Sequence, residues 1–382
     1  MKNKKIIELI PNISEGGAET LVKDYCLLLK DKGYDMEVVT LLPPSQSSSN
    51  YQILLKNGIK VTSLDKNRWF YKNWFLRNLW RYTVRPFYAT HRLANYISLI
   101  KPCCIHVHMR MLEYLVRIPR YLSGIKLLYT CHNEPHLFFN KKRSYLELRA
   151  AKKLITTNNL RLIALHESMR LELNEMFSVD TTLVVHNGVD FTRFKDVKVD
   201  KSAYRCSVGL NDDDFVVGHV GRFNSQKNHM FLLKIFVDLL NVKPNAKLLL
   251  IGDGALRRQV EEEICSLNIK NKCIILEHRG DIPQLMSIMD VFLFPSLFEG
   301  LPVTLVEAQA IGLRAVVSNT ITSECFFSKN VIPLDLNAPV VKWVNAIVDL
   351  SIAGEYRADI SRFDMNSVIN YLGKLYVDDE AK

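Results

Sequence analysis

The chain has 382 residues, a length typical of two globular domains, and its 48% hydrophobic and 24% charged residues argue against a disordered or fibrous protein. Its eight cysteines include no Cys-x-x-Cys pair, which favours reduced cysteines in a cytosolic protein. No apolar run is long enough to cross a bilayer, and the first one stops at Pro11, so it predicts a strand rather than a secretory signal. The net charge is +10, and residues 66–92 carry seven basic residues and no acidic one, which indicates an anionic partner for this region.

The first half of the chain alternates short apolar runs with amphipathic helical runs, the rhythm of a parallel sheet with helices on both faces. A helix is predicted at about 18–32, and a loop rich in proline and serine at 43–50. The predicted strands lie at 5–10, 36–41, 105–107, 127–130, 162–165 and 182–185.

The pattern restarts after a turn-rich stop at 186–190 and predicts a second doubly wound domain. The polar residues 191–212 are interpreted as an irregular hinge. The predicted strands lie at 215–220, 247–251, 273–276, 291–294 and 315–318. We therefore expect an α/β protein with domains at 1–190 and 205–362, and a last helix at about 363–378 that packs back on the first domain. Two such domains would face each other across a cleft, where ligands usually bind.

Two glutamates flank the start of a predicted helix that follows the strand at 291–294. Pro302 suits the first helical position, and a helix N-terminus offers unpaired N–H groups and a positive dipole end to a phosphate. Glu299 and Glu307 are separated by seven residues, and each carboxylate can accept hydrogen bonds from paired sugar hydroxyls. The helix start therefore predicts a phosphate site, and a loop acid and a solvated helix acid are the alternatives for Glu299 and Glu307.

Arg222 and Lys227 follow the strand at 215–220, on the side where doubly wound sheets bind ligands. With the two glutamates they give the chain a resemblance to the retaining GT-B glycosyltransferases of the Glu-x7-Glu family, which covers nearly the whole chain and is strongest at 217–322. The resemblance implies that Glu299 holds the donor sugar and Glu307 the ribose of the nucleotide. It also implies that Arg222 and Lys227 stabilise the departing diphosphate. Donor binding is further assigned by this resemblance to Gly300 and Leu301, before the helix, and to Gly252 and Gly254.

The turn at Gly252 and Gly254 also looks like part of a dinucleotide-binding fingerprint. That fingerprint needs a third glycine where this chain has Arg257, so a nicotinamide-dependent dehydrogenase is disfavoured. The alternative interpretation, which the resemblance supports, is a turn near the nucleotide.

The first domain carries two further candidates. Gly16 and Gly17 join the first strand to the first helix, where glycines let a ligand approach the backbone closely. The resemblance implies that this loop faces the diphosphate and the acceptor. His132 follows the strand at 127–130, and the resemblance places it against the donor sugar, so it joins the predicted catalytic residues Arg222, Lys227 and Glu299. A simple tight turn and a structural histidine are the alternatives.

The basic stretch at 66–88 contains three of the four tryptophans. Tryptophan favours membrane interfaces and arginine favours anionic headgroups, so peripheral attachment to an anionic membrane surface is one prediction. A buried aromatic core with a basic outer face is the alternative, and no fold signature supports binding of nucleic acid. The membrane or acceptor candidates are Trp69, Trp74, Arg77, Trp80 and Arg81.

The resemblance implies a retaining hexosyltransferase. It would move a sugar from a nucleoside diphosphate sugar, with UDP-sugar favoured, to a lipid-linked or growing polysaccharide acceptor in capsule or exopolysaccharide biosynthesis. The expected location is the cytoplasm, on the inner face of the plasma membrane, and no metal or other cofactor is expected. A nucleotide-sugar epimerase, a phosphorylase and a non-catalytic sugar-nucleotide-binding protein stay open as alternatives.

Overall fold

The computed structural model describes residues 5–65, 78–139, 144–195, 197–277, 279–349 and 360–377. The chain forms two compact units, one of Met1–Asn187 with Asn366–Lys382 and one of Gly188–Met365. Each unit is built on one parallel sheet with helices, which confirms the predicted α/β class with two Rossmann-like domains. In the part of the chain covered by these ranges, no helix has the length and apolar character needed to cross a bilayer.

A seven-stranded parallel sheet forms the first unit. Its strands are β1 (Lys5–Ile10), β2 (Asp35–Thr40), β3 (Lys60–Ser63), β4 (Cys104–His108), β5 (Lys126–Thr130), β6 (Arg161–Ala164) and β7 (Leu183–Val184). Their order in the sheet is β3-β2-β1-β4-β5-β6-β7. The strand order reverses between β1 and β4, and in such sheets ligands bind beyond the carboxyl ends at this reversal.

Helices cover the sheet of the first unit. A π-helical turn, Trp80–Val84, leads directly into the third of them. They are α1 (Gly17–Asp31), α2 (Ser49–Lys56), α3 (Arg85–Ile100), α4 (Leu112–Leu115), α5 (Pro135–Phe139), α6 (Tyr145–Asn158) and α7 (Glu167–Phe177).

The second unit has a six-stranded parallel sheet in the order β10-β9-β8-β11-β12-β13. These strands are β8 (Phe215–Val220), β9 (Ala246–Ile251), β10 (Cys273–Leu276), β11 (Val291–Phe294), β12 (Ala315–Ser318) and β13 (Val331–Leu334). The helices are α8 (Thr192–Lys195), α9 (Lys201–Ser207), α10 (His229–Leu240), α11 (Arg257–Ser266), α12 (Ile282–Ser287), α13 (Val303–Ala310) and α14 (Val340–Val348). Here the strand order reverses between β8 and β11.

The prediction of an irregular hinge at 191–212 is wrong, because α8 and α9 lie there. Most residues of this segment are polar, but the buried aromatic side chains of Phe191 and Phe194 anchor it. The start of α9 is capped by Asp200, whose side chain accepts a hydrogen bond from the backbone N–H of Ala203.

The last helix, α15 (Met365–Val377), is counted with the first unit from its second residue onward. Its buried Tyr376 hydrogen-bonds to side chains of β1 and β4, and the carbonyl of Leu375 accepts a hydrogen bond from the Lys126 ammonium at 3.0 Å. The side chain of Tyr34 packs against Gly373, where any larger residue would clash with its ring. The helix is therefore fastened to the sheet of the first unit by polar and steric contacts.

Candidate functional site

The loops that follow β8 and β11 carry the main candidates of the second unit. Because these two parallel strands are neighbours at the reversal of strand order, their carboxyl ends flank one crevice. Arg222 and Lys227 lie in the first loop and Glu299 lies in the second. The fold thus brings together residues that are more than 70 positions apart in sequence.

Lys227 and Glu299 form an ion pair. The Lys227 Nζ lies 2.7 Å from Glu299 Oε1 and 4.4 Å from the centroid of the Phe294 ring. The two side chains are 14% and 7% exposed, so the pair is largely shielded from water. Burial lowers the pKa of the neighbouring His229 to about 4, and the Lys227 charge adds to that effect. The contacts with Glu299 and Phe294 hold the Lys227 side chain in place at the end of β11.

Gln226 is a functional candidate that the sequence reasoning missed. Its side-chain amide donates to Glu299 Oε2 at 3.0 Å and to the carbonyl of Phe298 at 3.0 Å. Its own backbone carbonyl accepts the N–H of Leu297. Gln226 and Lys227 together therefore orient both carboxylate oxygens of Glu299. The one sequence feature that could have indicated this role is that Gln226 directly precedes Lys227, a predicted catalytic residue.

Gly252 and Gly254 are required by close backbone contact. Gly252 has φ +141, and a Cβ there would lie 2.2 Å from the carbonyl oxygen of Gly221. A Cβ on Gly254 would lie 2.4 Å from the carbonyl oxygen of Phe223. The loop after β9 is thus pressed against the loop that carries Arg222, as a turn role predicts.

The remaining candidates of this unit lie around the start of α13. Pro302 is the N-cap, and the helix begins one residue later than predicted. Gly300 and Leu301 are buried just before it, and Glu307 is half-buried within the helix. Arg222, by contrast, is exposed at the end of β8 and is open to an anionic ligand.

The loop with Gly16 and Gly17 leads into α1. Gly16 is the N-cap, and Gly17 is exposed with no atom within 4 Å of the position its Cβ would take. The preceding Glu15 fixes the loop, because its carboxylate accepts hydrogen bonds from the backbone N–H and the hydroxyl of Ser49 at 2.6 and 2.8 Å. Open space over a fixed helix N-terminus is compatible with a bound anion.

His132 lies two residues beyond β5 and is half-buried. Its Nε2 lies 2.8 Å from Nδ1 of His108, and the two rings stack with centroids 5.1 Å apart. Burial and the nearby His108 and His106 hold the pKa of His132 well below its usual range, so the ring is neutral near pH 7. The sequence reasoning found His132 but missed the histidines behind it.

The basic aromatic stretch falls mostly on residues 66–77, and the candidates Trp69, Trp74 and Arg77 lie outside the described residues. For Arg81 only the backbone is described, in the π-helical turn. Trp80 is 8% exposed, and its Nε1 donates to buried Asp65 at 2.9 Å. Burial of this ring favours the packing alternative for Trp80 over contact with a membrane.

Family models match most of the chain. Residues 200–330 match the model described as "Glycosyl transferases group 1", and residues 15–193 match "Glycosyltransferase Family 4". The first match contains every candidate of the second unit, and the second contains Gly16, Gly17 and His132.

The chain is also similar to individual glycosyltransferases and to solved structures. The chain is 28% identical over 360 residues to EpsF of Bacillus subtilis, described as a glycosyltransferase, covering 92% of this chain and 88% of that protein. It is 29% identical over 324 residues to the UDP-Gal:alpha-D-GlcNAc-diphosphoundecaprenol alpha-1,3-galactosyltransferase of Escherichia coli, covering 81% of each. Among solved structures, Anabaena HepE in complex with UDP-glucose is similar with a TM-score of 0.75 at 20% identity, covering 97% of this chain and 98% of HepE.

Proposed function

Because glycosyltransferase family models match residues 15–193 and 200–330 of this GT-B fold, we propose that the protein transfers a hexose-type sugar from a UDP-sugar with retention at the anomeric carbon. The acceptor in this proposal is a lipid-linked saccharide of surface polysaccharide biosynthesis. The lipid-linked acceptor named for the Escherichia coli relative and the UDP-glucose bound to HepE support this choice of substrates. The observation that carries the proposal is the buried Lys227–Glu299 pair where the strand order reverses.

The second unit holds the donor in this proposal. Transfer breaks the bond between the sugar and the diphosphate, so negative charge grows on the departing phosphate oxygen. Exposed Arg222 can bind the diphosphate with two N–H groups, and the Lys227 ammonium adds a point charge. Glu299 accepts hydrogen bonds from sugar hydroxyls, and Glu307 accepts them from the ribose. Because two cations carry out this stabilisation, the proposed reaction needs no divalent metal.

Retention follows if the acceptor attacks from the face that the diphosphate leaves. The departing phosphate oxygen then takes the proton of the acceptor hydroxyl, while Arg222 and Lys227 stabilise the charge. No enzyme nucleophile is required by this route. Gly16, Gly17 and His132 are proposed to contact the substrates from the first unit.

Peripheral attachment to an anionic membrane is proposed as well, since a lipid-linked acceptor lies in one. Three apolar side chains are exposed at the start of α3 and just before it: Leu79 (51%), Val84 (47%) and Phe87 (72%). They lie within the basic stretch at 66–88. The protein is expected to sediment with vesicles that contain anionic lipid and to be released by salt, and equal binding to neutral vesicles would contradict this.

The test is a screen of nucleotide sugars for hydrolysis and transfer, with the anomeric configuration of the product read by proton NMR and with EDTA in a parallel assay. Arg222→Ala is expected to lower kcat about a hundredfold, because a missing charge at a developing oxyanion costs on the order of 3 kcal/mol. The matched control is Arg258→Ala, another exposed arginine of the second unit, which pairs with Glu262. An inverted product would contradict retention, and loss of activity in EDTA would contradict a metal-independent reaction. Full activity of Arg222→Ala would contradict the role of Arg222.

A further inference from the structure

Six polar side chains of the first unit, His132 among them, form one hydrogen-bonded network. Five of them are at most 5% exposed, and only His132 reaches the surface. The members are Glu8, His106, His108, Thr130, His132 and Tyr376. Since an unpaired buried polar atom is costly, the network restricts which atom carries each hydrogen.

The Glu8 carboxylate, in the middle of β1, is the fixed starting point. The Tyr376 hydroxyl donates to Oε1 at 2.8 Å, and Nε2 of His108 lies 2.7 Å from Oε2. Burial opposes ionisation, but His106 and the hydrogen bonds of the two histidines hold the pKa of Glu8 well below its usual range. An ionised carboxylate only accepts, so the Tyr376 hydroxyl and His108 Nε2 must both donate to it, as must Nδ1 of His106, which lies 3.3 Å from Oε2.

His108 links the Glu8 carboxylate to His132. Burial lowers its pKa to about 4, so the ring is neutral and carries one hydrogen, which Nε2 donates to Glu8. Its Nδ1 therefore accepts the hydrogen bond from Nε2 of His132. Neutral His132 is left with a bare Nδ1, and no described residue is hydrogen-bonded to that atom.

A second branch runs from Glu8 through Tyr376 to His106. The Tyr376 oxygen lies 2.7 Å from Nδ1 of His106, whose Nε2 lies 2.7 Å from the Thr130 hydroxyl. This branch joins α15 to the carboxylate, and no hydrogen bond links it to His132. It therefore offers a control that perturbs Glu8 without breaking the path from Glu8 to His132.

We propose that Glu8 and His108 are positioning residues that hold His132 in the Nε2–H tautomer, so that its Nδ1 accepts a hydrogen bond from a sugar hydroxyl. The sugar part rests on the proposed glycosyl transfer, whereas the tautomer follows from the network alone. In the opposite tautomer His132 would present an N–H to the substrate. The sugar hydroxyl would then have to accept a hydrogen bond from His132 instead of donating one to it.

The first measurement is nitrogen NMR of the protein labelled with ¹⁵N-histidine. Comparison with His132→Asn assigns the signals of His132 among the ten histidines. Protonated Nε2 and bare Nδ1 are expected near pH 7. Protonated Nδ1 would overturn the proposal. The atoms of Glu8, His106 and His108 are also close enough to share a metal ion, and a stoichiometric metal bound there would equally overturn it.

The second measurement uses Glu8→Gln, which keeps the size of the side chain but can donate to His108 through its amide. If the amide donates to Nε2 of His108, the hydrogen of His108 must lie on Nδ1, which then donates to Nε2 of His132. The Nδ1–H form of His132 should therefore become populated, and kcat/KM should fall about 10- to 100-fold. Tyr376→Phe is the control, and it should keep the tautomer and change kcat/KM less than threefold. An unchanged tautomer with full activity in Glu8→Gln would overturn the proposal.

These outcomes separate two kinds of failure. A wild-type protein that turns over no nucleotide sugar contradicts the proposed function, whatever the tautomer of His132. A wild-type protein that transfers sugar with His132 protonated on Nδ1 contradicts only the positioning role of Glu8 and His108. The NMR measurement needs no variant of Glu8, so a Glu8→Gln protein that fails to fold does not remove the test.

Discussion

Replacing Lys227 by methionine isolates the charge of the proposed leaving-group site. Methionine keeps an unbranched side chain that can pack on the Phe294 ring, as the lysine does at 4.4 Å. The substitution leaves the Glu299 side chain, 7% exposed, with the Gln226 amide but without a cation. Two effects should follow, a loss of stability and a loss of transfer.

The stability effect can be sized from the 2.7 Å separation of Lys227 and Glu299. At an effective dielectric constant of 20 the attraction is about 6 kcal/mol, and desolvation of the two ions offsets most of it. A hydrogen bond to a charged group contributes about 2 kcal/mol net. We therefore expect Lys227→Met to lower the free energy of unfolding by about 2 kcal/mol, or roughly 4–8 °C in midpoint for a unit of this size.

The assay is a double-mutant cycle with Glu299→Gln, which removes the carboxylate charge and keeps the shape. Urea unfolding followed by circular dichroism should show that Glu299→Gln costs less stability in the Lys227→Met protein than in the wild type. Transfer should fall at least a hundredfold in each single variant and should not return in the double variant. Additive stabilities would refute the ion pair. Recovery of transfer in the double variant would refute a direct role for the Lys227 charge.

Three other predictions concern stability. Gly252→Ala should destabilise the protein by about 2–4 kcal/mol in urea unfolding, since φ is +141 and the new Cβ would meet a carbonyl oxygen at 2.2 Å, whereas Gly280→Ala has open space and should be neutral. Trp80→Phe should cost about 1–3 kcal/mol in the same assay, because it removes the indole N–H that donates to buried Asp65. Burial raises the pKa of Glu147 from 4.5 to about 8, so its contribution to stability is present below pH 4.5 and is lost as the pH rises to 8. Glu147→Gln should flatten this slope in melting curves between pH 5 and 9, and an unchanged slope would contradict the assignment.

Sequence reasoning located the strand ends of the candidate site well, because buried parallel strands are continuous apolar runs. Val291–Phe294 and Phe215–Val220 have the predicted bounds. The edge strands Lys60–Ser63 and Val331–Leu334 were not predicted, since they are only four residues long and none of their residues is fully buried. Short edge strands are stabilised by pairing with a neighbouring strand, and no local sequence pattern indicates that pairing.

The partners of the candidate residues were harder to predict than the candidates themselves. Glu8 stands inside the apolar run of the first strand, where nothing local indicates a role for a carboxylate. The Tyr376 hydroxyl that bonds to it comes from 368 positions away. For Trp80 the sequence left membrane contact and burial open, and its hydrogen bond to buried Asp65 favours burial. Tertiary contacts decide all three cases.

The two units position their candidate residues by different physical means. In the second unit the Glu299 carboxylate holds the Lys227 ammonium in place, and the pair is largely shielded from water. In the first unit the orientation passes through neutral rings, and what is fixed at His132 is the location of one hydrogen. A Glu→Gln change therefore acts differently in each unit. At Glu299 it removes a charge and its effect is energetic, whereas at Glu8 it adds a donor and its effect is to reverse hydrogen-bond polarity. Stability measurements detect the first and nitrogen NMR detects the second, which is why the two glutamates call for different experiments.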